Sequence, residues 1–256
     1  MADGCVMTQH SALSTSHDLI ETHALVKAYG IAPVLRQVDL GIPRGEFVAL
    51  LGPNGSGKSI LLRLLSGLSK PTAGVIRVGG WELPAEAHAV RAQIGLVSHK
   101  PLLYENLNAR ENLRFFARLY NLPRASVEGR IDALLAQVGL AKRGHDRVRA
   151  YSRGMQQRLS IARALLHNPD ILLLDEPYTG LDQDASAILD SLLRAAHADG
   201  RTIVMSTHDL GRAATLAGRA IILSRGTVAA DRPTAELDPL QLAALYTAVT
   251  SMVTSK

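Results

Sequence analysis

The sequence predicts an α/β fold in which helices cover both faces of a parallel sheet, and three observations support it. Short apolar runs typical of strands buried on both faces recur at 46–51, 171–174 and 202–206. The second and third runs each follow a helical segment, which is how right-handed crossovers build a doubly wound sheet. A glycine-rich turn joins the first run to an amphipathic helix. Strand, loop and helix therefore occur in the order that a phosphate site requires.

The first part of the chain is predicted to alternate between strands and one helix. A leader at 1–18 is rich in Ser and Thr and is predicted to be disordered. The elements that follow are two strands, the first buried strand, a helix and a short strand, at 19–27, 34–40, 46–51, 59–68 and 75–78.

The middle of the chain changes to helical periodicity. Between about 84 and 160 the clearest predicted helices lie at 111–120 and 127–138, and this block is predicted to be a helical subdomain inserted into the core.

The sheet pattern then returns and closes the domain. Runs at 220–224 and 227–229 predict a hairpin, and helical character begins again at 234. We expect a single domain over 19–231 and a helical tail over 232–256.

Composition narrows the possible partners. Lys and Arg total 28 against 23 Asp and Glu, a formal net charge of +5. Because these basic residues are scattered, apart from a modest cluster at 142–149, nucleic acid is not expected as a partner. Attraction to an anionic membrane surface is an equally good interpretation of the charge.

Cysteine content and hydropathy indicate the compartment. Cys5 is the only cysteine, which excludes a disulfide framework and a cysteine-rich zinc site. No apolar stretch reaches the roughly 18 residues of a membrane-spanning helix, and the first residues lack a secretory pattern. We therefore expect a cytosolic chain whose membrane role, if it has one, comes through a partner.

The glycine-rich turn GPNGSGKS is the first candidate site. Its glycines let successive N–H groups turn inward and form an anion nest at the positive end of the next helix. Lys58 would place its ammonium against the β and γ phosphates of a nucleotide, and Ser59 would offer its hydroxyl to Mg²⁺. A plain surface turn is the alternative. The predicted nucleotide-binding residues here are Gly52, Pro53, Asn54, Gly55, Ser56, Gly57, Lys58, Ser59 and Ile60.

Two acids end the apolar run at 171–174, at the strand edge where open α/β sheets bind ligands. Asp175 is suited to bind Mg²⁺, directly or through water. Glu176 is suited to activate the water that attacks the γ phosphate. The alternative is a strand end that is merely exposed to solvent, but burying two acids for structure alone would be costly.

Further motifs follow one another in a familiar order. Tyr29 lies in KAYG, Asp182 ends the tripeptide GLD, and His208 lies in STHD, while YSRGMQQR starts at Tyr151. Over 19 to about 231 the chain resembles the ABC transporter ATP-binding family. The resemblance implies an α/β P-loop NTPase domain with an antiparallel β edge and an inserted helical subdomain. It also implies that Tyr29 stacks on adenine and that His208 contacts the γ phosphate.

The segment YSRGMQQR resembles the signature motif of that family. Ser152 and Gly154 precede a helix that presents its positive end to an anion. In the family this anion is the γ phosphate held by another subunit, and Asp182 falls in the D-loop. The resemblance thus implies a head-to-tail homodimer around two ATP molecules, working with membrane subunits at the cytoplasmic face of the cell membrane. ATP and Mg²⁺ are the expected cofactors.

Some positions depart from the common family pattern. Arg153 replaces a frequent glycine, Met155 a frequent glutamine, and Ile60 a common threonine. His99 stands where the family usually has the Q-loop glutamine, which touches Mg²⁺ and relays to the membrane subunit. Ser59 and Glu176 remain, as do Ser152 and Gly154, and we therefore expect competent hydrolysis.

The region around His99 also points to a subfamily. Residues 98–122, together with YSRGMQQR, resemble the ATP-binding subunit of the haem exporter used in cytochrome c maturation. Related exporters of drugs, lipids or sodium share part of this pattern and remain an alternative. Two further alternatives are a soluble ABC-type ATPase that acts on nucleic acid or ribosomes, and a non-catalytic regulatory cassette.

Overall fold

In a computed structural model, which describes residues 18–251, the chain forms two sheets. A four-stranded antiparallel sheet has the order β2-β1-β4-β5, and a six-stranded sheet has the order β10-β9-β3-β8-β7-β6. The strands are β1 (Asp18–Tyr29), β2 (Ala32–Pro43), β3 (Phe47–Leu51), β4 (Ala73–Val78), β5 (Trp81–Leu83), β6 (Ile94–Val97), β7 (Ile171–Asp175), β8 (Thr202–Ser206), β9 (Arg219–Ser224) and β10 (Thr227–Pro233).

Helices pack on both sides of the six-stranded sheet. They are α1 (Lys58–Leu65), α2 (Ala87–Gln93), α3 (Ala109–Leu119), α4 (Arg124–Gln137), α5 (Arg153–Leu165), α6 (Gln183–Ala198), α7 (Leu210–Leu216) and α8 (Pro239–Ser251). Within 18–251, none of these helices is both long enough and apolar enough to cross a membrane.

The six-stranded sheet positions the candidate site. Strands β9, β3, β8, β7 and β6 are parallel, and only β10 runs antiparallel, against β9. Leu50 of β3 pairs with Ser206 of β8, which also pairs with Asp175 of β7. The carboxyl ends of three neighbouring strands therefore meet at one edge, where such sheets bind ligands.

The core explains why the sequences of the central strands are continuously apolar. Alternate residues of each strand contribute to different clusters: in β3, Phe47, Ala49 and Leu51 belong to one cluster, and Val48 and Leu50 to the other. The first cluster contains side chains of α3 to α7, and the second contains α1 and the antiparallel sheet. Both faces of the central sheet are thus buried, which confirms the predicted α/β fold class.

Several short elements were not predicted from the sequence. The block at about 84–160, predicted to be helical, contains α2 and also β6, a strand of the central sheet. A Cβ on Gly95 of β6 would lie 2.4 Å from the carbonyl oxygen of Ala164, so this strand packs directly against α5. The helical stretch proper runs from α3 to α5, and the division into subdomains stays a prediction.

The predicted elements at the two ends of the chain are present only in part within the described residues. The predicted leader lies outside the described residues except for Asp18, which is the first residue of β1. The predicted tail contains α8, and 252–256 lie outside the described residues. The predicted hairpin after 219 is present as β9 and β10.

Candidate functional site

The turn after β3 has a backbone that only glycine accommodates at two positions. Gly52 has a φ of 146°, and a Cβ there would lie 2.2 Å from the carbonyl oxygen of Leu223. Gly57 has a φ of 109°, and its Cβ would lie 2.5 Å from a methyl carbon of Leu35. These positive φ angles and close approaches exclude larger residues. The turn is therefore built by its glycines into the start of α1.

Lys58, the first residue of α1, is buried beneath this turn. Its Nζ donates to the carbonyl oxygen of Gly52 at 2.6 Å and to that of Pro53 at 3.2 Å. Burial lowers the pKa of Lys58, while the negative charges of Glu176 and Asp175 oppose the shift. The ammonium is thus held in place by carbonyl groups of the glycine-rich turn.

Asp175, at the end of β7, is anchored by two hydroxyl groups. Ser59 donates to its Oδ1 at 2.9 Å and Ser206 donates to the same oxygen at 2.7 Å. The structure thus brings together Ser59 and Asp175, the two predicted Mg²⁺ ligands. Both offer the hard oxygen donors that Mg²⁺ prefers, and Mg²⁺ commonly completes its shell with phosphate oxygens and water. The donor set fits Mg²⁺ bound together with a nucleotide.

Protein side chains alone form no larger metal site nearby. Across residues 18–251, no group of three or more His, Cys, Asp or Glu side chains is placed to hold a metal ion. A metal at Ser59 and Asp175 would accordingly depend on ligands from the nucleotide and from water.

Glu176 turns away from the strand and meets His208. Its φ of 50° lies in the left-handed region that non-glycine residues seldom adopt. Its backbone N–H donates to the Oγ of Ser206 at 3.0 Å, and His208 Nδ1 lies 2.8 Å from its Oε2. An ionised carboxylate accepts only, so His208 carries its proton on Nδ1. The carboxylate and the imidazole form a pair at the wall of the cleft.

Lys58, Ser59, Glu176 and His208 line a cleft of about 640 Å³, whereas Asp175 lies just outside its lining. Most of the lining residues were predicted from the sequence: Asn54, Gly55, Ser56, Gly57, Lys58, Ser59, Ile60, His99, Glu176 and His208. Val34 and Thr179 complete the lining and were not predicted. Thr179 lies shortly after Asp175 and Glu176 in the sequence, and this closeness could have indicated that it belongs to the site. The hydroxyl of Ser56 is buried and has no partner among the described residues, so a polar group is available for a ligand.

Tyr29 lies outside this lining. Its side chain is 54% exposed at the end of β1, and the ammonium of Lys27 lies 5.0 Å from the centre of its ring. An exposed ring is compatible with stacking on a base. Its role in binding adenine stays a prediction.

The segment YSRGMQQR lies at the start of α5. Ser152 caps this helix by accepting from the N–H of Met155 at 3.2 Å. A Cβ on Gly154 would lie 2.9 Å from the carbonyl oxygen of Gly180, so the segment packs closely on the loop after β7. Neither Ser152 nor Gly154 is among the residues that line the cleft.

Asp182 has a structural contact of its own. It caps α6 by accepting from the N–H of Ala185 at 2.8 Å. Asp182 thus starts a helix, and its part in a dimer contact stays a prediction.

Ser206 is the residue that sequence reasoning missed and that holds the site together. Its hydroxyl donates to Asp175 and accepts from the N–H of Glu176. Its place at the end of a predicted parallel strand, just before His208, could have indicated that it belongs to the site.

Comparisons with known proteins agree with this geometry. The family model described as "ABC transporter" matches residues 35–179. The chain is 41% identical over 211 residues to the daunorubicin resistance ATP-binding protein DrrA3 of Streptomyces coeruleorubidus, covering 82% of this chain and 67% of that relative. It is 36% identical to the Nod factor export ATP-binding protein I of Ralstonia nicotianae, covering 82% of this chain and 66% of the relative. The match thus spans about two thirds of the length of both relatives.

Two solved structures are also similar. The ATP-binding subunit of an ABC transporter superposes with a TM-score of 0.84 at 33% identity, covering 90% of this chain and 99% of the other. A dimeric ATP-binding cassette in a post-hydrolysis state, bound to ADP and Pi, has a TM-score of 0.78 at 30% identity, with 84% and 98% covered.

Proposed function

This chain belongs to the ABC transporter ATP-binding family, and we propose that it is the ATP-hydrolysing subunit of an ABC exporter. The observation that carries the proposal is one cleft that joins the phosphate loop to Glu176 and His208. Phosphate-binding groups and a general base are thereby within reach of the same ligand.

The residues of the cleft divide the work of hydrolysis. The glycine-rich backbone and Lys58 hold the triphosphate, and Mg²⁺, held by Ser59 and Asp175, would neutralise phosphate charge. Glu176 accepts a proton from water as the water oxygen bonds to the γ phosphorus. The bond from that phosphorus to the bridging oxygen breaks, and ADP keeps the electron pair. The products are ADP, inorganic phosphate and one proton.

His208 positions the base and completes the wall of the cleft. Its Nδ1–H is donated to Glu176, which fixes the direction of the carboxylate. Contact of Nε2 with the γ phosphate requires an N–H on that nitrogen as well, because phosphate oxygens only accept. This role makes His208 a partner of Glu176 in the same reaction.

A second copy of the chain supplies the remaining part of the site in this proposal. Ser152 is exposed and lies at the positive end of α5, where it would meet an anion held by another chain. A solved relative is dimeric in its post-hydrolysis state, which supports a head-to-tail homodimer with two ATP sites.

A membrane partner is supported by an apolar groove away from the nucleotide cleft. The groove measures about 170 Å³, and Leu68 and Leu102 at its rim are 49% and 48% exposed. Exposed apolar side chains that line a groove are typical of a protein interface. We assign this groove to a cytoplasmic segment of a membrane subunit, and under this assignment the chain works at the cytoplasmic face of the membrane.

The cargo has two candidates. Residues 98–122 and the segment YSRGMQQR favour haem, by resemblance to the ATP-binding subunit used in cytochrome c maturation. The relatives named above are instead proteins of daunorubicin resistance and Nod factor export, which favours another exported compound. We place the alternative exporter first because it rests on matches over 82% of the chain.

Cargo is tested with the membrane subunits present. The complex is purified from native membranes and reconstituted in liposomes, and ATP hydrolysis is measured with haem and with daunorubicin. Stimulation by haem alone supports haem export, and stimulation by daunorubicin alone supports drug export.

The hydrolytic function is tested with Glu176→Gln. Turnover is expected to fall by at least about 100-fold, the lower range for loss of a general base. The affinity for ATP should stay within about threefold because the phosphate loop is untouched, and the ATP-bound variant should accumulate as a dimer. Phosphate release, equilibrium ATP binding and light scattering measure the three effects.

Glu105→Gln is the matched control because Glu105 is exposed and outside the cleft. Equal turnover in Glu176→Gln and in this control would remove Glu176 from the role of base. Hydrolysis that depends on added nucleic acid, with a steep dependence on salt, would favour the soluble alternative.

A further inference from the structure

A second cavity lies directly beside the nucleotide cleft. It measures about 290 Å³, roughly ten times the share of liquid volume that one water occupies. Its lining comes from the loop after β6, the start of α5 and the loop after β7, and consists of His99, Lys100, Pro101, Arg153, Gln156, Gln157, Glu176 and Thr179.

The two spaces meet at the catalytic end of the nucleotide cleft. His99, Glu176 and Thr179 line both of them. Glu176 is the proposed base, so the γ phosphorus of a bound nucleotide would react next to this shared boundary. The second cavity therefore lies next to the place where the phosphate product would form.

The second cavity carries unused positive charge. Lys100 and Arg153 are exposed, and in 18–251 the side chain of neither takes part in a hydrogen bond or an ion pair. The amide of Gln157 is instead committed, since its nitrogen donates to the carbonyl oxygen of Pro177 at 3.0 Å. The available donors are a guanidinium, which binds phosphate in a bidentate manner, and a flexible ammonium.

The one acid in the lining already has a partner. Glu176 shares its Oε2 with His208 at 2.8 Å, which draws that carboxylate toward the nucleotide side. Two cations thus outnumber a single carboxylate that is engaged elsewhere.

This cavity also brings together two departures from the common motif pattern. His99 and Arg153 are far apart in sequence, yet both line the same small space. Both departures from the common pattern therefore belong to one local environment.

We propose that the second cavity is an anion subsite that receives inorganic phosphate after ATP cleavage and holds it on Lys100 and Arg153 before release. The subsite rests on the proposed function for its source of phosphate. ADP remains on the phosphate loop while the phosphate passes His99. The subsite binds added inorganic phosphate as well, because the donors are present without turnover.

The direct test is binding of radiolabelled inorganic phosphate to the full chain saturated with ADP, measured by equilibrium dialysis. Lys100→Ala/Arg153→Ala should weaken phosphate binding by at least about tenfold, because each side chain that is removed takes a charge-assisted hydrogen bond with it. Lys142→Ala/Arg149→Ala removes the same charge from exposed positions outside the cavity and should leave the affinity unchanged. Chloride at matched ionic strength controls for screening.

A kinetic test adds an independent measurement. Added phosphate should inhibit steady-state hydrolysis by the wild type, and the double variant should need at least about tenfold more phosphate for the same inhibition. A single change, Arg153→Gly, restores the common residue and should shift inhibition in the same direction by a smaller factor.

Two results would overturn the subsite. One is phosphate binding that is equal in the wild type and Lys100→Ala/Arg153→Ala, and the other is no binding by the ADP-loaded wild type. Neither result depends on turnover, so both are distinct from a failure of the proposed function, which would be a wild type that binds ATP without hydrolysing it.

Discussion

The phosphate-loop region and the signature region differ in how far each is completed by its own chain. Lys58 is buried and bonded to backbone carbonyls, and Asp175 is fixed by two hydroxyls. Ser152 is exposed, and within residues 18–251 its side chain bonds only to the helix that it begins. The first region is preorganised, whereas the second keeps its ligand-facing groups open. In the proposed function, the nucleotide site is thus divided between a rigid half, the phosphate-loop region, and an open half, the signature region, which a partner chain completes.

The largest effect is expected from Lys58→Ala, which tests the rigid phosphate-loop region. Loss of the buried ammonium should lower ATP affinity by about 100-fold, or about 2.7 kcal/mol, within the range for hydrogen bonds to charged groups. Equilibrium binding of ATP to the isolated chain measures the effect. Arg63→Ala, on the exposed face of the same helix, should leave the affinity unchanged. A change of less than threefold for Lys58→Ala would mean that the rigid half does not depend on this charge.

A smaller effect is expected from Ser152→Ala, which changes the open signature region. Loss of the helix cap should cost about 1 kcal/mol of stability. Turnover should fall about tenfold because one donor to the partner's nucleotide is lost, while ATP binding by the isolated chain stays the same. Urea denaturation and steady-state hydrolysis measure the two effects.

Asn108→Ala is the matched control for that change. Asn108 caps α3 in the same manner, by accepting from the N–H of Glu111, and lies outside the nucleotide cleft. It should lose comparable stability and keep its turnover. If both variants lost turnover equally, the effect of Ser152 would be one of folding and not of contact with a partner.

The smallest effect on activity is expected from a change at His167, which lies just after the C-terminal end of α5. Burial lowers the pKa of His167 from 6.5 to about 4, against the opposing effect of its contact with the carbonyl of Ile94. The unfolded chain binds this proton more tightly, so the stabilising contribution is complete above pH 6.5 and is lost as the pH falls toward 4.

The measurement compares the wild type with His167→Phe, which keeps a ring stacked on Tyr120. Between pH 6.5 and 4 the wild type should lose on the order of 2 kcal/mol more unfolding free energy than the variant. Urea denaturation across this pH range gives both curves. Parallel curves would show that His167 does not anchor α5 through its neutral state. Turnover near pH 7.5 should stay within about twofold because His167 is outside the cleft.

Much of the fold was predictable because its signals are local. The central strands β3, β7 and β8 are apolar runs, and their order with helices indicates a parallel sheet. β6 was missed because four residues carry little periodicity and lie within a helical block. Its glycine reflects a close approach to α5 that no local pattern records.

The sequence by itself determined the chemistry of the nucleotide site: a glycine turn that fixes a backbone nest, a lysine and a serine after it, and two acids at a strand end. Each depends on neighbouring residues, so spacing along the chain is sufficient. Only the tertiary structure decided which distant groups meet. Ser206 reaches Asp175, His208 reaches Glu176, and His99 shares a cavity with Arg153. These contacts follow from the order of strands in the sheet, which long-range packing sets and local patterns do not contain.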